Sequence, residues 1–152
     1  MASVRQQILA YVKARLVGLA GFGGRVYLFD DHPAGIPEGK FPAIRIAHEN
    51  EDSEDEAFEW PTLQKRTTRF TVSVFAKQAA GVGTFLDDAS VAIQKALQAS
   101  ETVDTAGGLA VGGVSYRGVE DDYTVRSDGA MRLRFEAEYQ VRSNAPDVPA
   151  VN

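Results

Sequence analysis

Residues 130–142, AMRLRFEAEYQVR, alternate between apolar and polar side chains without interruption. The apolar positions are Met131, Leu133, Phe135, Ala137, Tyr139 and Val141. Because successive side chains of an extended strand point to opposite faces, this segment is predicted to be a β-strand with one face on a core and the other in water. At ~3.4 Å per residue it would be about 40 Å long, whereas a strand is usually about 5–6 residues. Such a strand can extend beyond its own core and pair with a neighbour, so assembly is the first function to consider.

The composition is that of an ordinary globular protein. The chain has 152 residues, a net charge of −5 and no cysteine. This length indicates one domain with a substantial core. The absence of cysteine excludes disulfides, thiolate metal ligands and cysteine nucleophiles within the chain, and it suits a reducing compartment. Modest acidity without a Lys/Arg-rich run argues against tight binding to nucleic-acid phosphates. The amphipathic N-terminal segment is too interrupted for a signal peptide or a membrane span.

The order of the predicted elements indicates an α+β fold. A capping box at Ser3 and Gln6 predicts the start of a first helix, and a second capping box at Thr84 and Asp87 predicts another. Strands are predicted over residues 25–29, 41–49, 64–77 and 109–125, and a hairpin turn at Asp128-Gly129 leads into the long strand. We expect a mainly antiparallel β-sheet with two α-helices packed on one face, and a polar second face. We also expect a single domain over residues 1–143 and a flexible C-terminal tail over residues 144–152.

The most unusual composition lies in residues 49–59, where carboxylates crowd together. One interpretation is a solvated, mobile loop. The other is an assembly arm that repels DNA and becomes ordered on a protein partner. The segment lacks the glycine that a calcium-binding loop needs for its sharp turn. Phe58 and Trp60, at its end, are candidate anchors on a partner surface.

No catalytic, metal or cofactor site is predicted. His32 follows Asp30 and Asp31, but adjacent loop residues seldom converge on one ion, and His48 is expected to face water at a strand end. No serine occupies a strand-to-helix elbow, so no catalytic triad can be assembled. The glycine runs lack the Gly-Lys-Ser/Thr ending of a phosphate-binding loop. Catalysis by a pair of carboxylates remains open, although the available pairs fit a helix N-terminus or a hydrated loop.

Several segments together resemble the tail terminator proteins of long-tailed phages, the lambda minor tail protein U-like family. The likeness lies in the helical segment ILAYVKARL, the short strand with Val26 and Tyr27, and the segment FPAIRIAHENEDSEDE. It continues in the strand over residues 66–76, the helix over 84–97 with its Leu-Asp-Asp-Ala opening, and the closing hairpin formed by VSYRGVEDDYTV and residues 130–142. It covers most of the chain and is one of order and composition.

The resemblance implies a structural virion protein without catalytic activity or cofactor. Such a subunit would form a hexameric ring on the finished tail tube and stop polymerisation of the tail tube protein. The ring would offer a docking surface to the head-closure or connector protein, and DNA would pass through its lumen without specific binding. It would be assembled in the host cytoplasm and would lie at the head-proximal end of the tail, with no membrane partner.

Candidate surfaces for such a ring follow from the charge pattern. The candidate subunit interface is the polar side of the long strand, where opposite charges could fix the register between subunits: Arg132, Arg134, Glu136 and Glu138. The candidate lumen or tube-facing segment is acidic: Glu49, Glu51, Asp52, Glu54, Asp55, Glu56 and Glu59.

Three alternatives remain open at this point. The chain could be another neck or head-closure component of a phage. It could be a ferredoxin-like small-ligand-binding protein or enzyme, which would require a convergent pocket with a shifted carboxylate or histidine. It could also be a nucleic-acid binder, which would require exposed aromatic rings beside basic residues on the sheet. The long strand offers charges of both signs instead.

Overall fold

The computed structural model describes residues 3–57, 59–77, 81–98, 103–105, 108–111, 113–123 and 128–150. The elements are α1 (Val4–Leu16), β1 (Val26–Leu28), β2 (Ala43–Ala57), β3 (Leu63–Lys77), α2 (Val82–Leu97), β4 (Val103–Thr105), β5 (Gly108–Val111), β6 (Val114–Tyr123), β7 (Asp128–Arg142) and β8 (Ala145–Pro149). Short 3-10 turns cover Phe29–Asp31 and Glu38–Lys40. Neither helix in the described part of the chain has the length and apolar character needed to cross a bilayer.

The main sheet is mixed and has the strand order β1-β2-β3-β7-β6, with β8 paired to the end of β7. β1 is parallel to β2, whereas the β2–β3, β3–β7, β6–β7 and β7–β8 pairs are antiparallel. β4 and β5 form a separate two-stranded ribbon. The chain is therefore an α+β structure built mostly from strands, with two helices that contact each other and the sheet.

The core lies between the helices and one face of β2, β3 and β7. Cross-strand register aligns Ile46, Val72 and Leu133 in one row, and the next row contains the stacked rings of Phe70 and Phe135, whose centroids are 5.7 Å apart. The helices bury stripes against these rows: Val4, Ile8, Val12 and Leu16 from α1, and Leu86, Ala89, Ile93 and Leu97 from α2. The alternation predicted for β7 is confirmed, because all six apolar positions from Met131 to Val141 are buried.

The position of β7 in the sheet differs from the expectation. β7 pairs with β3 along its whole length, and its other edge pairs with β6 and, at Val141 and Arg142, with β8. The idea that this strand offers a backbone edge to a neighbouring subunit is therefore wrong. Since β6 and β8 occupy most of its second edge, β7 offers a partner mainly its exposed side chains.

The acidic segment is a strand and not a loop as far as Ala57. β2 continues through it and pairs with β3, with bulges between His48 and Asn50 and between Asp55 and Ala57. The physical reason is the sequence of the partner strand, which places Lys65, Arg66 and Arg69 among the carboxylates. Cross-strand pairs of opposite charge stabilise a sheet. Because both faces of β2 are polar here, an alternation of hydrophobicity could not reveal the strand.

The starts of the two helices test the capping boxes predicted from the sequence. The first capping box is confirmed. The backbone amide of Gln6 donates to Ser3 Oγ over 3.2 Å, and the backbone amide of Ser3 donates to the side-chain oxygen Oε1 of Gln6 over 2.9 Å. The second is wrong: α2 begins at Val82 after Gly81, whose φ of 76° lies in the left-handed region that glycine adopts without a steric cost. Thr84 is therefore already inside the helix.

Two predictions near the C-terminus also differ from the structure. Asp128 and Gly129 lie inside β7 and not in a turn, because they pair with Lys77 and Ala76 of β3. The connection from β6 falls on residues 124–127, which lie outside the described residues. The predicted tail over residues 144–152 contains β8, whose Ala145 pairs with Arg142.

Truncation of Phe135 tests the central role of the stacked pair. Phe135→Ala should lower the free energy of unfolding by about 3–5 kcal/mol, because it removes a buried ring and leaves a cavity beside Phe70. Urea denaturation measures the change. Val91→Ala, at a side chain that is 51% exposed on α2, is the control and should change the stability by no more than about 0.5 kcal/mol. Equal effects of the two substitutions would contradict this view of the core.

Candidate functional site

The sheet presents a charged surface on the side away from the core, here called the polar face. It consists of the side chains that alternate with the buried rows. They are Arg45, Asn50, Asp52 and Glu54 of β2, Lys65, Thr67, Arg69, Thr71 and Ser73 of β3, Arg117 and Glu120 of β6, and Arg132, Arg134, Glu136, Glu138 and Gln140 of β7. This face holds all four residues of the predicted subunit interface.

Most charges of the polar face are paired within the subunit. Arg69 lies at the centre, with Nη1 2.7 Å from Asp52 Oδ2 and Nε 3.6 Å from Glu136 Oε2. The hydrogen bond to Asp52, followed by the nearby carboxylate charges, holds the pKa of Arg69 above its ordinary value. Glu136 also pairs with Arg117 of β6. These contacts join β2, β3, β7 and β6 across the face. Because Arg69 and Asp52 are largely exposed to water, which screens their charges, this pair stabilises the fold only weakly.

Arg132 differs from the other three predicted interface residues. Arg134 pairs with Glu120, and Glu138 lies 3.6 Å from Lys65 Nζ, measured to its Oε2. Arg132 is exposed and has no hydrogen bond or ion pair with any residue that the structure describes. It lines a cleft of about 300 Å³. Of the four, Arg132 therefore has the charge most available to a partner.

The structure divides the acidic segment between two environments. The carboxylates of Asp52, Glu54, Asp55 and Glu56 are exposed along β2, Glu49 is exposed at the bulge, and Glu59 is exposed in the connection to β3. Trp60, the predicted anchor in that connection, is 79% exposed. Phe58, the second predicted anchor, lies outside the described residues.

The Glu51 side chain points towards the core, whereas the side chains of the adjacent residues are exposed. Its side chain is 15% exposed, accepts a hydrogen bond from the Tyr139 hydroxyl, and lies 3.9 Å from Arg66 Nη1 and 4.0 Å from Arg5 Nη1. Burial, and then the hydrogen bond to Glu51, raises the pKa of Tyr139, so the hydroxyl stays protonated and donates. Glu51 thus joins α1, β3 and β7. The sequence could not reveal this role, because the bulge after His48 reverses the side-chain alternation of β2.

A second cleft, of about 560 Å³, lies between α1 and the β1 edge of the sheet. Its lining includes Arg5 and Leu9 of α1, Phe29 and Asp30 after β1, and His48 of β2. His48 was expected to face water but is half-buried here, and its Nε2 has no hydrogen-bond partner among the described residues. Burial, followed by the positive charge of Arg5, lowers the pKa of His48 below 6.5. The cleft can accommodate an apolar group beside a neutral imidazole.

The clefts offer little further chemistry. Among the described residues, no hydroxyl nucleophile lines the larger cleft, and the titratable side chains there are Arg5, Asp30 and His48. His32, the other of the two histidines in the sequence, packs edge-on against Tyr27 with ring centroids 4.6 Å apart. Within the described ranges, no group of three or more histidine or carboxylate side chains is arranged to hold a metal ion.

The lowered pKa of His48 predicts a pH-dependent stability. Since the folded chain disfavours the charged imidazole, the unfolded chain binds more protons below the unfolded pKa. The free energy of unfolding should therefore fall as the pH drops from about 7 to about 5.5. His48→Gln should reduce this loss, and Arg5→Gln should reduce it partly. Urea midpoints at the two pH values measure the effect, and an unchanged loss in His48→Gln would contradict the assignment.

Removal of the Tyr139 hydroxyl tests the buried link to Glu51. Tyr139→Phe should lower the free energy of unfolding by about 1.5–3 kcal/mol, the usual contribution of a hydrogen bond to a charged group. Urea denaturation measures the loss. Tyr11→Phe is the control, because the Tyr11 hydroxyl makes no hydrogen bond to another described residue. If Tyr139→Phe lowers the free energy of unfolding no more than this control does, the hydroxyl does not stabilise Glu51, and Arg5 and Arg66 alone compensate its charge.

The sequence matches no protein-family model, and no curated protein matches it. Among solved structures, the chain is similar to a chain of the particle described as "Virion of native gene transfer agent (GTA) particle". The two sequences are 18% identical, and the match covers 93% of this chain and 100% of that chain, with a TM-score of 0.62. At this identity the similarity shows a shared fold. The fold of this protein thus occurs in a chain of a virion particle.

Proposed function

We propose that the protein is a structural virion protein of the tail terminator type. It forms a hexameric ring that caps the tail tube, ends polymerisation of the tube protein and provides the interface for head joining. The observation that carries this proposal is the fold similarity to a virion chain over 100% of that chain's length. The order of elements that resembles the phage tail terminators supports the same function. Its partners are further copies of itself, the tail tube protein and a head-closure or connector protein.

A ring requires two different patches on each subunit, because its interfaces are head-to-tail. The polar face supplies one candidate patch on β7, with Arg132, Arg134, Glu136 and Glu138. Ion pairs within the subunit hold Arg134, Glu136 and Glu138 in place before assembly, which reduces the conformational entropy lost on binding. No catalytic group is needed for this function.

The exposed carboxylates of β2 suit a surface past which DNA moves. We place Asp52, Glu54, Asp55 and Glu56, together with Glu49, in the lumen or at the tube-facing rim. Repulsion between these groups and the phosphates would prevent DNA from adhering during transit. Glu51 is excluded from this surface because its carboxylate is engaged by Tyr139 and Arg66. The protein would act at the head-proximal end of the tail after assembly in the host cytoplasm.

A second candidate function is favoured by the larger cleft. A small-ligand-binding protein would use its apolar lining, with His48 as the polar group that orients the ligand. The two functions differ in a simple measurement. Ligand binding predicts that His48→Gln and Leu9→Trp weaken binding while the oligomeric state is unchanged. Ring formation predicts that substitutions on the polar face change the oligomeric state.

Without this protein, the length of the tails should no longer be limited. In a virus that lacks this gene, tube polymerisation should continue, and electron microscopy should show abnormally long tails without heads. Purified protein should form a hexamer by light scattering, either alone or on the ends of isolated tubes. The intact gene supplied in trans is the control and should restore normal tails. Tails of normal length, or a chain that stays monomeric with tubes present, would contradict the proposal.

A further inference from the structure

Two unpaired opposite charges lie at opposite ends of the long strands. Arg132 lies near the start of β7, and Glu59 lies in the connection between β2 and β3, beside the end of β7. Both side chains are exposed, and neither has an ion pair or hydrogen bond to a described residue. The eight residues from Arg132 to Gln140 span about 27 Å along the strand, so the two charges cannot meet within one subunit.

The Arg132 end of the polar face forms a recess, here called the Arg132 cleft, of about 300 Å³. Arg45 and Arg132 flank Ser73 in one cross-strand row, and Phe75 adds an aromatic wall. The Arg45 guanidinium is fixed in place, because Nη1 donates to the His32 carbonyl oxygen over 3.0 Å and the group stacks on Phe75. The Glu120 carboxylate also lines the cleft but pairs with Arg134. The two arginines leave the cleft suited to an acidic group.

The opposite end of the long strands exposes an acidic and an aromatic side chain, which complement the basic Arg132 cleft. Residues 59–62, which precede β3 and are here called the hairpin tip, contain Glu59 and Trp60, and Trp60 is 79% exposed. The base of the hairpin tip is held to the end of β7: the Thr62 amide donates to Ser143 Oγ over 3.0 Å, and the Ser143 amide donates to the Thr62 carbonyl oxygen over 2.8 Å. A large exposed aromatic ring on an anchored tip, next to a free carboxylate, is typical of an interface hot spot.

We propose that the hairpin tip of one copy of this chain binds in the Arg132 cleft of the next copy. Glu59 pairs with Arg132, and Trp60 packs in the same cleft beside Phe75. Because the tip and the cleft lie at opposite ends of the subunit, this contact is head-to-tail and generates a ring when the rotation closes. The inference rests on the proposed ring and names the two surfaces that close it.

A charge exchange tests the pair. Arg132→Glu and Glu59→Arg should each reduce the assembled fraction roughly tenfold at a fixed subunit concentration, because like charges then face each other. The double variant should recover most of the assembly, since the pair is restored with its polarity reversed. Light scattering, alone and with isolated tubes, measures the assembled fraction, and urea midpoints verify that each variant is folded. Asp88→Arg, at an exposed carboxylate on α2, is the control and should assemble normally.

Cross-linking provides an independent readout, because the chain has no cysteine of its own. Glu59→Cys combined with Ala130→Cys, which lines the Arg132 cleft, should give a ladder of covalent multimers on oxidation that ends at the ring size. Asp88→Cys combined with Ala130→Cys should give no ladder. If Arg132→Glu still forms rings, and the variant with Glu59→Cys and Ala130→Cys gives no ladder, this contact is overturned and the terminator proposal stays intact. A native chain that never assembles would overturn the terminator proposal itself.

Discussion

The uninterrupted pairing of β3 with β7 organises the rest of the structure. Every residue from Leu63 to Lys77 faces a residue of β7, so the apolar rows of both strands lie on one face and the charged rows on the other. Burial of Phe70 against Phe135 fixes this register, because a shift of one residue would move the whole apolar set to the polar face. The helices then cover the apolar rows, and the charges are left facing outwards.

The bulge after His48 is the second constraint. β2 follows the alternation of β3 up to this point, and one extra residue then reverses it. His48 is left in the cleft beside α1, and Glu51 enters the interior, where Tyr139 and Arg66 satisfy its carboxylate. One local irregularity therefore separates a structural carboxylate from the exposed ones that follow it.

The proposed assembly rests on the distribution of paired and unpaired charges in this fold. Pairs such as Arg69 with Asp52 and Arg134 with Glu120 satisfy most of the polar face within the subunit. They fix the shape of the face and add little affinity for a partner, since both groups are already engaged. Arg132 and Glu59, at the two ends of the strands, have no ion pair with any residue that the structure describes, and the proposed contact assigns them to a neighbouring copy. Electrostatic complementarity of this kind contributes to orientation and specificity more than to affinity.

Elements that depend on neighbouring residues could be predicted from the sequence. The alternation of β7 and the capping box at Ser3 require only a local period or a contact three residues away, and the structure has both. The interior position of β7, the pairing of the acidic segment with β3 and the inward orientation of Glu51 became visible only in the folded chain. These features depend on partners distant in sequence and on a bulge that hydrophobic periodicity does not reveal. The candidate interface was identified as a charged strand, but which of its charges remain free depends on cross-strand contacts that exist only after folding.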